Sequence, residues 1–144
     1  MALRKFSLVD FLKAVIDRVE LGTGKRCYDA VPDHTKAPFY YAEIVGLRPD
    51  DTKTMFIDVF EVFIHAIAEP SRSSVGVYDL IQGLQEAMTV DIELPVGYLL
   101  VSQASLGSQR ISTSGVEKIS LGETGEKQAI FGYEFKVCYG YRVK

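Results

Sequence analysis

The side chains able to do chemistry in this 144-residue sequence are two histidines, two cysteines and nineteen carboxylates. Their spacing decides what they could build. His34 follows Asp33 in a proline-flanked connection, and His65 lies in an apolar run. Neither sits in an H-x-H, H-E-x-x-H or C-x-x-C pattern, so neither has the neighbours a zinc site needs. Gly22-Thr23-Gly24-Lys25 resembles the end of a phosphate loop, but that motif requires Gly where Val19 stands and Ser or Thr where Arg26 stands. It must also follow a strand and open a helix, whereas this tetrapeptide closes one. No serine occupies a G-x-S-x-G elbow, and neither Cys27 nor Cys138 has a nucleophile's local context. Asp58 and Glu61, three apart on an extended segment, point to opposite faces and make a poor acid and base pair. The sequence therefore reads as a protein without a catalytic centre, metal or cofactor.

Charge narrows the partners. A net charge of -3 at pH 7 supplies no excess of cations to neutralise phosphates. The basic pairs Arg4-Lys5 and Lys25-Arg26 are separated by Asp10, Asp17 and Glu20, so no basic stripe forms and no sequence-specific nucleic acid is expected. The aromatic series Tyr133, Phe135, Tyr139 and Tyr141 could stack bases. Its alternation instead places these rings on one face of a strand, where packing on helices is the expectation. The apolar run Met55 to Ala68 is broken by Asp58, Glu61 and His65, and falls short of the about 20 residues that span a bilayer. Charged residues at 10, 13 and 17 likewise interrupt any secretory core, so a cytoplasmic product with reduced cysteines and no membrane partner is expected.

Behind these residues lies an α+β pattern. Leu8, Phe11, Leu12, Val15, Ile16 and Val19 recur at i, i+3, i+4 spacing, which predicts a helix over Ser7 to Glu20, with Ser7 capping it and Gly22 ending it. A short extended piece follows at Cys27 to Val31. Phe39 to Leu47 and Met55 to Ala68 then read as strands joined by the Arg48-Pro49-Asp50-Asp51 turn. Val77, Leu80, Ile81, Leu84 and Met88 restore helical spacing, with Ser73 or Ser74 as the cap. Val96 to Ala104 predicts another strand, and the alternation from Ala129 to Val143 predicts a long, half-buried last one.

Between them, Leu106 to Lys127 is rich in Gly, Ser, Thr and charge, with Ile111, Val116, Ile119 and Leu121 scattered through it. A structureless loop of that length is unusual in a compact domain, so a protruding hairpin arm over 107–127, ordered by a partner, is expected. The length suits a single domain over 1–144 with its own core. The predicted architecture is an antiparallel sheet of about four to five strands, with two amphipathic helices packed on one face and the arm projecting.

Taken over Ser7 to Val143, this layout resembles the small tail-completion proteins of long-tailed bacteriophages, the tail terminator or tail-to-head joining group. The resemblance rests on the first helix, Cys27-Tyr28-Asp29-Ala30-Val31-Pro32, the Ala37-Pro38-Phe39-Tyr40-Tyr41 strand entry, the central helix, and the closing Phe131-Gly132-Tyr133-Glu134-Phe135-Lys136-Val137 strand. It implies a structural protein of the virion tail that forms a hexameric ring, caps the tail tube and meets the head-tail connector protein. Candidate contacts with neighbouring subunits are then Arg48, Asp50 and Asp51 in the turn, and Arg110, Glu117, Lys118 and Glu123 in the arm. Two other readings stand beside it: a small-molecule pocket lined by Tyr28, Tyr40, Tyr41 and Tyr98, and a host interaction module that pairs through a sheet edge.

Overall fold

A computed structural model describes residues 3–70, 73–112, 117–118, 123–124 and 127–142, the two short pairs by backbone only. The chain opens with α1 (Leu8–Thr23), then β1 (Cys27–Tyr28), β2 (Phe39–Pro49) and β3 (Met55–Ala68). After α2 (Val75–Ala87) come β4 (Leu99–Ser112), the short strands β5 (Glu117–Lys118) and β6 (Glu123–Thr124), and β7 (Lys127–Tyr141). Five strands form one sheet in the order β1-β2-β3-β7-β4, and β5 pairs only with β6. The fold is α+β, as expected, but the sheet is mixed, because β1 runs parallel to β2. Two residues carry no periodicity, so that direction leaves no trace in the sequence.

Both helices bury their stripes on the same face of the sheet. Phe11, Val15 and Val19 of α1 and Val77, Leu80 and Leu84 of α2 meet Phe60, Val62, Ile64, Phe131, Tyr133 and Phe135 in one continuous core. The aromatic centre is tight: Phe11 stacks on Phe60 at 4.2 Å and meets Phe135 edge-on at 5.2 Å. Phe6 and Tyr98 extend the cluster at 4.8 Å. Such offset and edge-to-face pairs add to the burial of the rings themselves.

Capping shows where local signals hold. The Ser7 hydroxyl accepts from the Asp10 N–H at 3.3 Å, as the sequence predicts. The helix ends two residues later than expected: Gly24, at φ 71°, takes the left-handed position and donates its N–H to the Glu20 carbonyl. Gly22 has a different task. A Cβ there would lie 2.3 Å from the Ala87 Cβ, so its missing side chain is what lets α1 approach α2. At α2 the Ser73 hydroxyl accepts from the Val75 N–H at 3.2 Å.

The last strand follows its alternation from Ala129 to Val137. Tyr133 and Phe135 are in the core, but Tyr139 is only half-buried and Tyr141 is exposed, because a bulge at Tyr139 reverses the alternation and turns Tyr141 to the other face. The expected arm is also revised. Gly107 to Ser112 belong to β4 and pair with Gln128 to Gly132 of β7, so these stretches are sheet rather than projection. Only 113–126 remains for a protruding segment. Of it the described residues show the backbone pairing of Glu117 with Thr124 and Lys118 with Glu123.

Burial of ionisable groups makes the fold sensitive to alkali. Burial, then Glu20, lifts the Cys27 thiol from its ordinary 9.0 to about 12, and burial alone lifts the Tyr133 phenol from 10.0 to about 12. The Tyr40 phenol is raised too, first by burial and then by Cys27 and Tyr133. All three folded values exceed the unfolded ones, so their contribution is intact below about pH 9 and is lost as pH climbs towards 12. Denaturant melts from pH 8 to 11 are expected to show falling stability from pH 9 upwards, with a shallower fall in Cys27→Ala.

Candidate assembly interface

The sheet has one face under the helices and one with no described layer over it. By strand alternation the open face carries Tyr41, Glu43 and Arg48 of β2, then Val59, Glu61, Phe63, His65 and Ile67 of β3. From β7 it carries Ile130, Gly132, Glu134 and Lys136. Long side chains roof this face. Arg48 lies opposite Val59, which is itself opposite Lys136, and Val59 is fully buried although no helix covers it. Arg48 donates to Glu61 at 3.3 Å and to Glu134 at 3.1 Å, spanning three strands. Lys136 pairs with Asp50 at 3.1 Å, and Arg142 lies 3.8 Å from Asp51.

The three turn residues singled out from the sequence, Arg48, Asp50 and Asp51, thus already have partners within the chain. Asp51 also accepts from the Ile57 N–H at 2.9 Å, fixing the β2–β3 turn. The Gly46 position abuts the Glu61 side chain, where an added Cβ would stand 3.0 Å from its carboxylate. Arg110 stands exposed on β4 opposite Ile130. Glu117, Lys118 and Glu123 fall in the β5–β6 pair, away from the turn in sequence, and their side chains lie outside the described residues. Sequence reasoning missed Glu61, Glu134, Lys136 and Arg142, the counter-charges of the turn. The alternation of β7 places Glu134 and Lys136 on this open face but does not say which strand lies beside it.

Higher on the same face, His65 is buried and stacks on Tyr41 at 4.0 Å with the rings 9° apart. Its Nε2 lies 2.8 Å from a Glu43 carboxylate oxygen, while the buried Nδ1 has no partner among the described residues. The Phe63 ring covers Gly132, beside Leu106 of β4. His34 is an exposed loop residue. Among the described residues no group of three or more His, Cys, Asp or Glu could hold a metal ion.

The four tyrosines expected to share a pocket do not converge. Tyr40 points into the core and donates to the Leu80 carbonyl at 2.7 Å, while the adjacent Tyr41 faces the opposite way onto His65. Tyr98 packs on Phe6, and Tyr28 on Phe39. Neighbouring residues of one strand cannot line one site, which is why the grouping fails. A concavity does lie beside α1, lined by Asp17, Arg18, Glu20, Leu21, Asp91 and Glu93.

Two connections outside the open face hold the ends of the fold. Gln103 of β4 donates to the carbonyls of Met88 and Val90 at 3.1 and 3.0 Å and accepts from the Ile92 N–H at 3.0 Å, tying the segment after α2 to the sheet. Lys5 bridges the buried Asp58 carboxylate at 3.2 Å and the Tyr139 hydroxyl at 2.8 Å. That hydrogen bond to Tyr139, with Asp58 adding, raises the Lys5 pKa.

The family model of phage tail terminators, described as "Putative tail termination protein", matches residues 2–144. The chain belongs to this family. Membership makes it a structural component of a phage-type virion tail, associated with other virion proteins. Among solved structures, the chain is similar to a component of "Virion of native gene transfer agent (GTA) particle", with a TM-score of 0.70 at 17% identity. The alignment covers 93% of this chain and 99% of the other, so the fold is shared from end to end. No curated protein matches the sequence. Among the described residues no helix is long and apolar enough to cross a membrane.

Proposed function

We propose that the chain acts as one domain that assembles into a closed ring of about six copies, caps the tail tube and joins it to the head-tail connector. The observation that carries this reading is the family match over 2–144, essentially the whole chain. Assembly takes place in the cytoplasm of the bacterial host, and the finished ring stays in the virion tail. Ring formation needs two different surfaces on each copy, so that successive contacts close by rotation. The Arg48 to Thr54 turn, the end of β4 and the 113–126 segment supply contacts to neighbouring subunits, with Arg48, Asp50, Asp51, Arg110, Glu117, Lys118 and Glu123 as the participating residues. The partners are further copies of the chain, the tail tube protein and the connector protein.

Light scattering across protein concentration, paired with electron microscopy of purified tail tubes mixed with the protein, tests this reading. The expected result is a discrete ring mass or, if rings form only on the tube, added density at one tube end. A chain that stays monomeric and leaves both tube ends bare would overturn it. Replacing 113–126 with a short Gly-Ser turn should preserve the melting transition, since β4 and β7 pair outside that stretch, while weakening assembly.

A further inference from the structure

The sheet ends in two open edges of unlike character. Among the described residues β4 pairs with β7 on one side only, and over fourteen residues, Leu99 to Ser112, it carries one charge, Arg110, and no proline. Edges of soluble sheets are ordinarily blunted by charge, proline or shortness, because their free N–H and C=O groups template pairing with another chain. Irregularities at Val101, Leu106 and Gln109 curve this edge but leave Ser102 to Ser105 in regular register with Tyr133 to Lys136. Leu99, Val101, Leu106 and Ile111 stand exposed along it. At the far side, β1 covers β2 only at Tyr40 and Tyr41, so Ala42 to Pro49 has no neighbouring strand among the described residues. Val45 and Leu47 are exposed there.

These two edges match. Following the register across the sheet, Ala42 is level with Ile64, Phe131 and Ser108, and Pro49 is level with Asp58, Val137 and Leu100. The open stretch of β2 therefore lies at the same height as Leu100 to Ser108 of β4. The strands also run in opposite directions, because each of the three pairings between them is antiparallel. A second copy set beside the first in the same orientation brings β2 against β4 as an antiparallel pair. Arg110 falls level with Tyr41, two residues from Glu43 on the same open face. That level is where β1 covers β2, so the one charge of the β4 edge lies just beyond the matched stretch, which is itself uncharged on β4.

We propose that Leu100 to Ser108 of the β4 edge is an inter-subunit seam, on which the open β2 edge of the adjacent copy, Ala42 to Pro49, adds as an antiparallel strand. The contact is heterologous, so it propagates and can close into a ring. It rests on the ring reading above and names the surface that makes the ring. Backbone hydrogen bonds supply the affinity, and the exposed apolar side chains of both edges are covered together.

Residue-resolved amide exchange on the assembled species is the direct test. In a regular edge strand alternate amides point away from the partner, and those of Ser102 to Ser105 are expected to be protected in the ring as strongly as the amides bonded to β7. Single proline substitutions at Ser102, Ala104 and Ser105 give a second readout. Each that removes an outward N–H should keep the melting transition and shift the light-scattering mass from ring to monomer. Outward amides that exchange in the ring as fast as exposed loop amides, or a folded proline variant that still forms the ring, would overturn the seam and leave the ring reading standing. A wild-type chain that forms no ring in solution or on tail tubes removes both.

Discussion

Phe11→Ala should lower the free energy of unfolding by about 3–5 kcal/mol, the cost of deleting a fully buried aromatic ring and leaving its cavity. Phe11 has no solvent exposure and contacts three other rings, stacking on Phe60 and meeting Phe6 and Phe135 edge-on. Three elements lose packing at once: α1, β3 and β7. Against a typical total of about 5–15 kcal/mol, that loss removes a third or more of the stability of many domains. Urea denaturation would register it as a drop in midpoint at nearly constant slope. Leu12→Ala, one residue along the same helix but only half-buried, is the control and should cost clearly less. Equal costs would mean that the helix is held by its flank rather than by the aromatic cluster.

The importance of Phe11 was legible because helical spacing reports the buried stripe directly. Phe11, Val15 and Val19 recur every fourth residue, and all three are buried. Val77, Leu80 and Leu84 of α2 follow the same rule. The β2–β3 hairpin was equally visible, since β-branched and aromatic runs flank a proline-aspartate turn. β4 was not. Its outer half, Leu106 to Ser112, is rich in Ser, Gly and Gln because an edge strand has fewer neighbours to pack against, and such a composition reads as loop. Val96, expected to begin that strand, is exposed three residues before it.

The candidate interface was legible in part. Arg48, Asp50 and Asp51 stood out as a charged turn, but a single sequence cannot show that Glu134, Lys136 and Arg142, more than eighty residues later, lie across β3 from them. Long-range pairing is set by strand order, which local patterns do not encode. The same holds for the two edges of the sheet. Only the order β1-β2-β3-β7-β4 reveals that the sparsely charged β4 is one end and that β2, behind a two-residue β1, is open along most of the other, and hence which surfaces another copy can meet. Exposed ion pairs such as Arg48–Glu61 contribute roughly 0–1 kcal/mol each. Their larger role on this face is to roof Val59 and to set the shape that a neighbouring subunit would meet.

Gly22 separates two effects that a sequence reading confuses. Alanine in a helix interior is favoured over glycine by about 1 kcal/mol, so propensity alone predicts that Gly22→Ala stabilises the chain. Contact predicts the reverse. The new Cβ would stand 2.3 Å from the Ala87 Cβ and 2.8 Å from its Cα, closer than real atoms approach, and the obstacle includes backbone. Overpacking of this kind costs about 1–3 kcal/mol, which exceeds the propensity gain, so the net expectation is destabilisation by as much as about 2 kcal/mol. The double variant Gly22→Ala with Ala87→Gly transfers the methyl from α2 to α1 and removes the Cβ–Cβ overlap, leaving the closer approach to the residue-87 Cα at 2.8 Å. A double-mutant cycle by urea melts should then give a favourable coupling of about 1 kcal/mol, because the shorter of the two overlaps is present only when both methyls are. Additive single effects would place the helices farther apart than the structure does. They would return Gly22 to the role its sequence first suggests, a helix terminator whose work Gly24 in fact performs.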